Sequence, residues 1–90
     1  MSTGTTVYRY EFYRKGLVVK IQPEGHRYRA TCSKDDLGLY DSAEKATQSL
    51  SENIERMLSD GTYLADLEIP GDLAEWEWKV FLYVKRLRAA

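Results

Sequence analysis

Cysteine is almost missing from this 90-residue chain, where Cys32 stands alone. One cysteine excludes an internal disulfide, so packing has to hold the fold, and a reducing, cytoplasmic setting is expected. Histidine also occurs once, at His26, and no second thiol or spaced carboxylate set joins either residue into a metal-ligand pattern. Prolines number two, Pro23 and Pro70, so regular structure is interrupted at only two points. No apolar run approaches the roughly 20 residues of a membrane helix. The opening MSTGTTVYRY lacks the basic-then-apolar order of a signal peptide. Phosphate-binding, dinucleotide-binding and nucleophile-elbow glycine patterns are likewise absent. These absences predict no cofactor, no metal, no membrane association and no catalysis.

What is present is a folding composition, with 43% hydrophobic and 30% charged residues. A chain of this length makes one core, read as a flexible small-residue leader over 1–6 and a single α+β domain over 7–90. A net charge of −1 conceals a strong segregation. Residues 1–34 hold seven basic side chains and two acids, residues 35–77 hold twelve acids and two bases, and residues 78–90 hold four bases and no acid.

The stretch Val7–Cys32 alternates bulky apolar with charged residues, the period of half-buried strands. Strands are expected over Val7–Arg14, Leu17–Gln22 and His26–Cys32. Lys15-Gly16 forms the first turn, since glycine accepts the positive φ of a tight hairpin, and Pro23-Glu24-Gly25 forms the second. Parity assigns Tyr8, Tyr10, Phe12, Leu17, Val19, Ile21, Tyr28, Ala30 and Cys32 to an inner face. Arg9, Glu11, Tyr13, Lys20, Arg27 and Arg29 fall on an outer, wet face. Leu37–Tyr40 is a candidate fourth strand.

Two helices are expected to cover the inner face. The first, Ser42–Ser59, starts from an Asp41/Glu44 capping box and carries Ala43, Ala46, Leu50, Ile54, Met57 and Leu58 on one stripe, ending at Gly61. Thr62–Ile69 reads as a strand or an extended connector. The second helix, Leu73–Leu87, starts from Asp72 and Glu75 and points Leu73, Trp76, Val80, Phe81, Tyr83, Val84 and Leu87 in one arc. The expected architecture is therefore α+β, an antiparallel three- to four-stranded sheet with two helices on one face, in the order β-β-β-(β)-α-β-α.

Functional candidates are surfaces. Trp78 and Leu82 lie one helical turn apart and outside the core arc, which marks them as an interface stripe for a partner or for a second copy in a homodimer. Glu44, Glu52 and Glu55 lie off the apolar stripe of the first helix and form an acidic surface suited to a basic partner. The expected function is a non-catalytic interaction module, a regulator, adaptor or inhibitor, that binds another protein through these residues. The alternative is nucleic-acid binding through the basic outer face, with Arg9, Lys20, Arg27 and Arg29 on phosphates and Tyr13 stacking on bases. His26 is expected to be an exposed strand residue, and Cys32 an inert buried thiol.

Overall fold

In the computed structural model the described backbone covers residues 3–53 and 55–86, and the described side chains are those of 7–53 and 55–81. Five strands form one antiparallel sheet: β1 (Thr3–Arg14), β2 (Leu17–Glu24), β3 (Arg27–Cys32), β4 (Asp35–Tyr40) and β5 (Glu77–Arg86). Their spatial order is β4-β3-β2-β1-β5. The first four strands are a meander, and the last returns to flank the first. One helix, α1 (Ala43–Glu52), and two 3-10 turns, Leu64–Leu67 and Leu73–Glu75, make the crossover between β4 and β5. The α+β class and the antiparallel sheet agree with the sequence, whereas the strand count and the second helix do not.

The meander follows from its turns and its alternation. Lys15 (φ 52°) and Gly16 (φ 76°) both adopt the left-handed region, the geometry that joins two strands through two residues with the proper twist. The register pairs Phe12 with Val19 and Tyr10 with Ile21, so their side chains share a face with Ala30 and Cys32 from β3. Val19, Ile21, Ala30 and Cys32 are fully buried there. Beyond Tyr10–Ile21 the β1–β2 ladder stops; two residues on along β2 stands Pro23, which has no N–H to donate. β1 begins at Thr3, earlier than the expected Val7, and among the described residues its first half has a ladder with β5 alone.

Helix α1 is shorter than its sequence stripe. Ser42, not Asp41, is the N-cap, accepting a hydrogen bond from the Lys45 N–H at 3.1 Å. Ala43, Ala46, Thr47 and Leu50 are buried beneath it. The helix runs to Glu52 with Asn53 as its C-cap, and its last turn carries no basic residue that would favour the helix dipole. Tertiary contacts then hold the following segment in another form. Arg56, Met57 and Leu58 fold back on Thr62, Tyr63 and Leu64, with a Leu58 N–H to Thr62 carbonyl bond of 2.7 Å and a Met57–Tyr63 bridge. Asp35 in β4 pins this loop by accepting from the Ser59 N–H at 3.1 Å and the Ser59 hydroxyl at 2.9 Å. Met57, expected on the stripe, is 54% exposed, while Leu58 is buried from outside the helix. Ile54 lies outside the described residues.

The segment 62–69 is neither a strand of the sheet nor an extended connector. It turns as a 3-10 helix and buries Leu64, Leu67 and Ile69, a spacing of three and two, in place of the alternate set Tyr63, Ala65, Leu67 and Ile69. Gly71 then passes so close to α1 that a Cβ there would stand 2.9 Å from Ser51 Oγ. Thr47, fully buried in α1, places its hydroxyl 2.9 Å from the Glu44 carbonyl and 3.1 Å from that of Gly71, tying the loop to the helix.

The expected second helix is a strand. Asp72 caps only a single 3-10 turn, accepting from the Ala74 N–H at 3.0 Å, and Trp76 already has extended backbone. The run Glu77–Arg86 reads EWKVFLYVKR, rich in aromatic and β-branched residues that suit a strand, and Trp76, Trp78 and Val80 alternate with Glu77 and Lys79. Its apolar residues fit a helical arc as well, and pairing with β1 decides between the two. Leu87, expected on that arc, lies outside the described residues. Among the described residues, no helix is long and apolar enough to cross a membrane.

Candidate interaction surface

Register and cover together create the surface. Helix α1 packs on β2, β3 and β4. Over β1 and β5, on the same face, the cover thins to the turn at Leu73 and the side chain of Trp76. Trp76 is buried, donates its indole N–H to the Pro70 carbonyl at 3.0 Å, and packs on Phe12 with ring centroids 5.6 Å apart. Two residues further along the strand, Trp78 stands opposite Tyr10. Its indole N–H reaches the Leu73 carbonyl at 3.1 Å, and its ring meets Tyr10 edge-on at 5.3 Å and Tyr8 at 5.8 Å. Even so, Trp78 remains 54% exposed, and beside it Val80 and Tyr8 are exposed as well. The result is an apolar shelf of Tyr8, Trp78 and Val80 that the helix does not reach.

Glu44 lies in the first turn of α1, and the phenol of Tyr10 is pushed up by burial first and then by Tyr28, Glu44 and Tyr8. Glu52 is exposed at the other end of the helix, about 12 Å along its axis at 1.5 Å per residue, and Glu55 is exposed beyond it. All three expected acidic residues are therefore exposed, spread along the helix and just beyond it.

Leu82 stands opposite Val7, whereas Val80 stands opposite Tyr8, so Phe81 is an extra residue in a β-bulge. Trp78 and Leu82 thus pair with residues of opposite parity on β1, not with one helical stripe. The Leu82 side chain lies outside the described residues.

The outer face is a network of neutralised charge. Glu11 is its centre: although it lies on the face without a helix, its side chain is only 4% exposed. Its carboxylate accepts from the Arg9 guanidinium at 2.8 Å, from the Lys79 ammonium at 3.0 Å, and from the Tyr13 hydroxyl. The Tyr13 hydrogen bond, followed by those from Lys79 and Arg9, lowers the Glu11 pKa to about 2. Lys79 is pushed up to about 12, first by its contact with Tyr13 and then by Glu11. Arg29 pairs with Glu24 at 2.9 Å, which holds that carboxylate below its usual range, and with Asp36 at 2.6 Å, whose carboxylate is held low first by the Gly38 N–H and then by Arg29. Arg27 pairs with Asp41 at 3.5 Å. Of the basic residues expected to meet phosphates, Lys20 alone has no ion-pair partner among the described residues. It lines an open groove of about 370 Å³ with Gly16, Val18, Gln22, Thr31 and Ser33.

His26 is exposed at the β2–β3 turn, and Cys32 is fully buried with its thiol pushed up, by burial first and then by Asp35 and Asp60. Among the described residues, no group of three or more His, Cys, Asp or Glu side chains is arranged to hold a metal. Sequence parity missed the burial of Glu11 and the exposure of Tyr8 and Val80. The signal for the last two was the Trp76–Trp78–Val80 alternation, which a strand reading would have used. Compared with known proteins, the chain matches no family model, no curated relative and no solved structure, so its chemistry rests on the residues described above.

Proposed function

We propose that this chain is a non-catalytic interaction module, a small regulator, adaptor or inhibitor, that binds another protein through the shelf of Tyr8, Trp78 and Val80. The observation that supports this reading is the half-exposed Trp78, held by two tyrosine rings and a backbone hydrogen bond on a face that α1 leaves open. A rigid aromatic that is already fixed loses little conformational freedom on binding, which is why tryptophan and tyrosine anchor interfaces. The exposed Glu44, Glu52 and Glu55 favour a partner that places an apolar side chain on the shelf and lysine or arginine along α1. The nucleic-acid reading is weaker, because Arg9, Arg27 and Arg29 are each engaged by a carboxylate.

The deciding experiment uses the intact chain as bait in its host, with Trp78→Ala and Glu44→Lys as parallel baits. A protein retained by the wild type and lost from both variants supports the shelf. Equal retention by all three removes it. A titration with single-stranded nucleic acid at low salt completes the comparison, since phosphate contacts are strongest there. Tight binding that weakens with added salt would favour the outer face instead.

A further inference from the structure

The sheet is wider than its cover. Five strands at a spacing of about 4.8 Å span about 19 Å, and one helix with its side chains is about 10–12 Å across. α1 lies over β2, β3 and β4, so β1 and β5 keep a lane of their own on the same face. From β3, the middle strand under α1, to β1 is two strand spacings, about 10 Å, the distance at which helices pack side by side. The turn at Leu73 and the Trp76 side chain close one end of this lane. Beyond them Trp78, Tyr8 and Val80 stay exposed.

The face of a sheet presents side chains alone, because backbone N–H and C=O groups point in its plane toward neighbouring strands. An extended segment laid on that face would bury its own backbone groups without partners, at a cost for each. A helix satisfies its backbone internally and brings only a stripe of side chains. Charge narrows the occupant further. Asp72 and Glu75 stand on the turn that closes the lane, and both are exposed. On and just beyond α1, Glu44, Glu52 and Glu55 are exposed too. Among the described residues none of these five carboxylates has a cation partner, whereas Arg9, Arg27 and Arg29 of the outer face are all paired.

Taking the shelf as the contact surface, we propose that its occupant is a cationic amphipathic α-helix of the partner protein, laid beside α1 over β1 and β5. Its apolar stripe, spaced by three and four residues, rests on Trp78, Tyr8 and Val80. Lysine or arginine on its flanks complements the carboxylates of the closing turn and of the crossover. The two helices together then cover the face from edge to edge.

The probe is a synthetic peptide of about 18 residues, roughly five helical turns, with leucine at spacings of three and four and lysine elsewhere. Titration with the intact chain from about 1 µM to about 1 mM, read by peptide fluorescence polarisation and circular dichroism, reports binding and helix gain. Saturable binding with helix gain is expected, weakened about tenfold or more by Trp78→Ala or by Val80→Lys. Val80→Lys keeps every ring and sets a cation against a cation, so the test does not depend on how well Trp78→Ala folds. Leu39→Ala, on the opposite face, is expected to leave binding unchanged. A peptide of the same composition in strict alternation, the strand period, is expected to bind more weakly, as is one with glutamate in place of lysine. Equal binding by either control peptide, no saturation in this range, or binding indifferent to both shelf variants overturns the helix. The shelf is judged apart from it, by the Trp78→Ala bait: a partner lost from that bait while the peptide fails removes the helix and keeps the shelf.

Discussion

Glu11 and Lys79 meet at 3.0 Å across β1 and β5, on the face of the sheet that no helix covers. The pair joins strands far apart in sequence, and Arg9 and Tyr13 complete the shell around the carboxylate. Removing the Glu11 charge leaves two cations without their counter-charge, and an amide in its place offers one accepting oxygen where the carboxylate uses two. Glu11→Gln is expected to destabilise the fold by about 1–3 kcal/mol, as for a hydrogen-bonded group of low exposure. Denaturant unfolding at neutral pH measures it, and an unchanged midpoint would show the network to be ornamental.

The same carboxylate sets part of the acid response. Its folded pKa of about 2 lies below the ordinary value of 4.5, so its contribution is fully present above about pH 4.5. That contribution is lost as the pH falls toward 2. Thermal melting across this window is expected to fall more steeply for the wild type than for Glu11→Gln. Glu24, Asp36 and Asp60, also held low, act in the same direction and should keep some slope in the variant.

Trp76 and Trp78 are neighbours on one face of one strand with opposite duties. Trp76→Ala empties a buried site and is expected to cost about 3–5 kcal/mol. Trp78→Ala removes a half-exposed ring and is expected to cost about 1 kcal/mol, with its larger effect on partner retention. Paired melting and binding measurements separate the two, and a Trp78→Ala protein that unfolds as readily as Trp76→Ala would make the shelf part of the core.

The approach of Gly71 to α1 gives a sharp test of packing. Gly71→Ala sets a methyl group 2.9 Å from Ser51 Oγ, a hydroxyl already bonded to the Gln48 carbonyl at 2.8 Å. A loss of about 1–3 kcal/mol is expected. Adding Ser51→Ala removes the clashing oxygen, so the double variant should recover most of it, and a double-mutant cycle reads the coupling.

Much of the meander was legible because alternation, a Lys-Gly turn and a proline stop all agreed over Val7–Cys32. The inner face followed from parity alone, and Val19, Ile21, Ala30 and Cys32 are its buried centre. The crossover was not legible. The run after Asp72 satisfies helical and strand spacing equally, and only the free side of β1 decides for the strand. Helix α1 ends early because Asp35, distant in sequence, binds Ser59 and holds the next segment in a loop. For the candidate surface, composition pointed to Trp78, but its setting beside Tyr8 and Tyr10 came from the fold. The engagement of Arg9, Arg27 and Arg29 needed their partners in three dimensions.

The position of β5 beside β1 orders events in time as well as in space. Thr3 lies opposite Arg86, so every residue between them has to be made before the start of the first strand can find this neighbour. Four strands of the meander have short-range partners and can assemble while the remainder is still emerging. Until β5 arrives, the half of β1 beyond Tyr10 lacks a partner on either side. A nascent chain therefore carries an unpaired strand segment until β5 is made and covers one side of it.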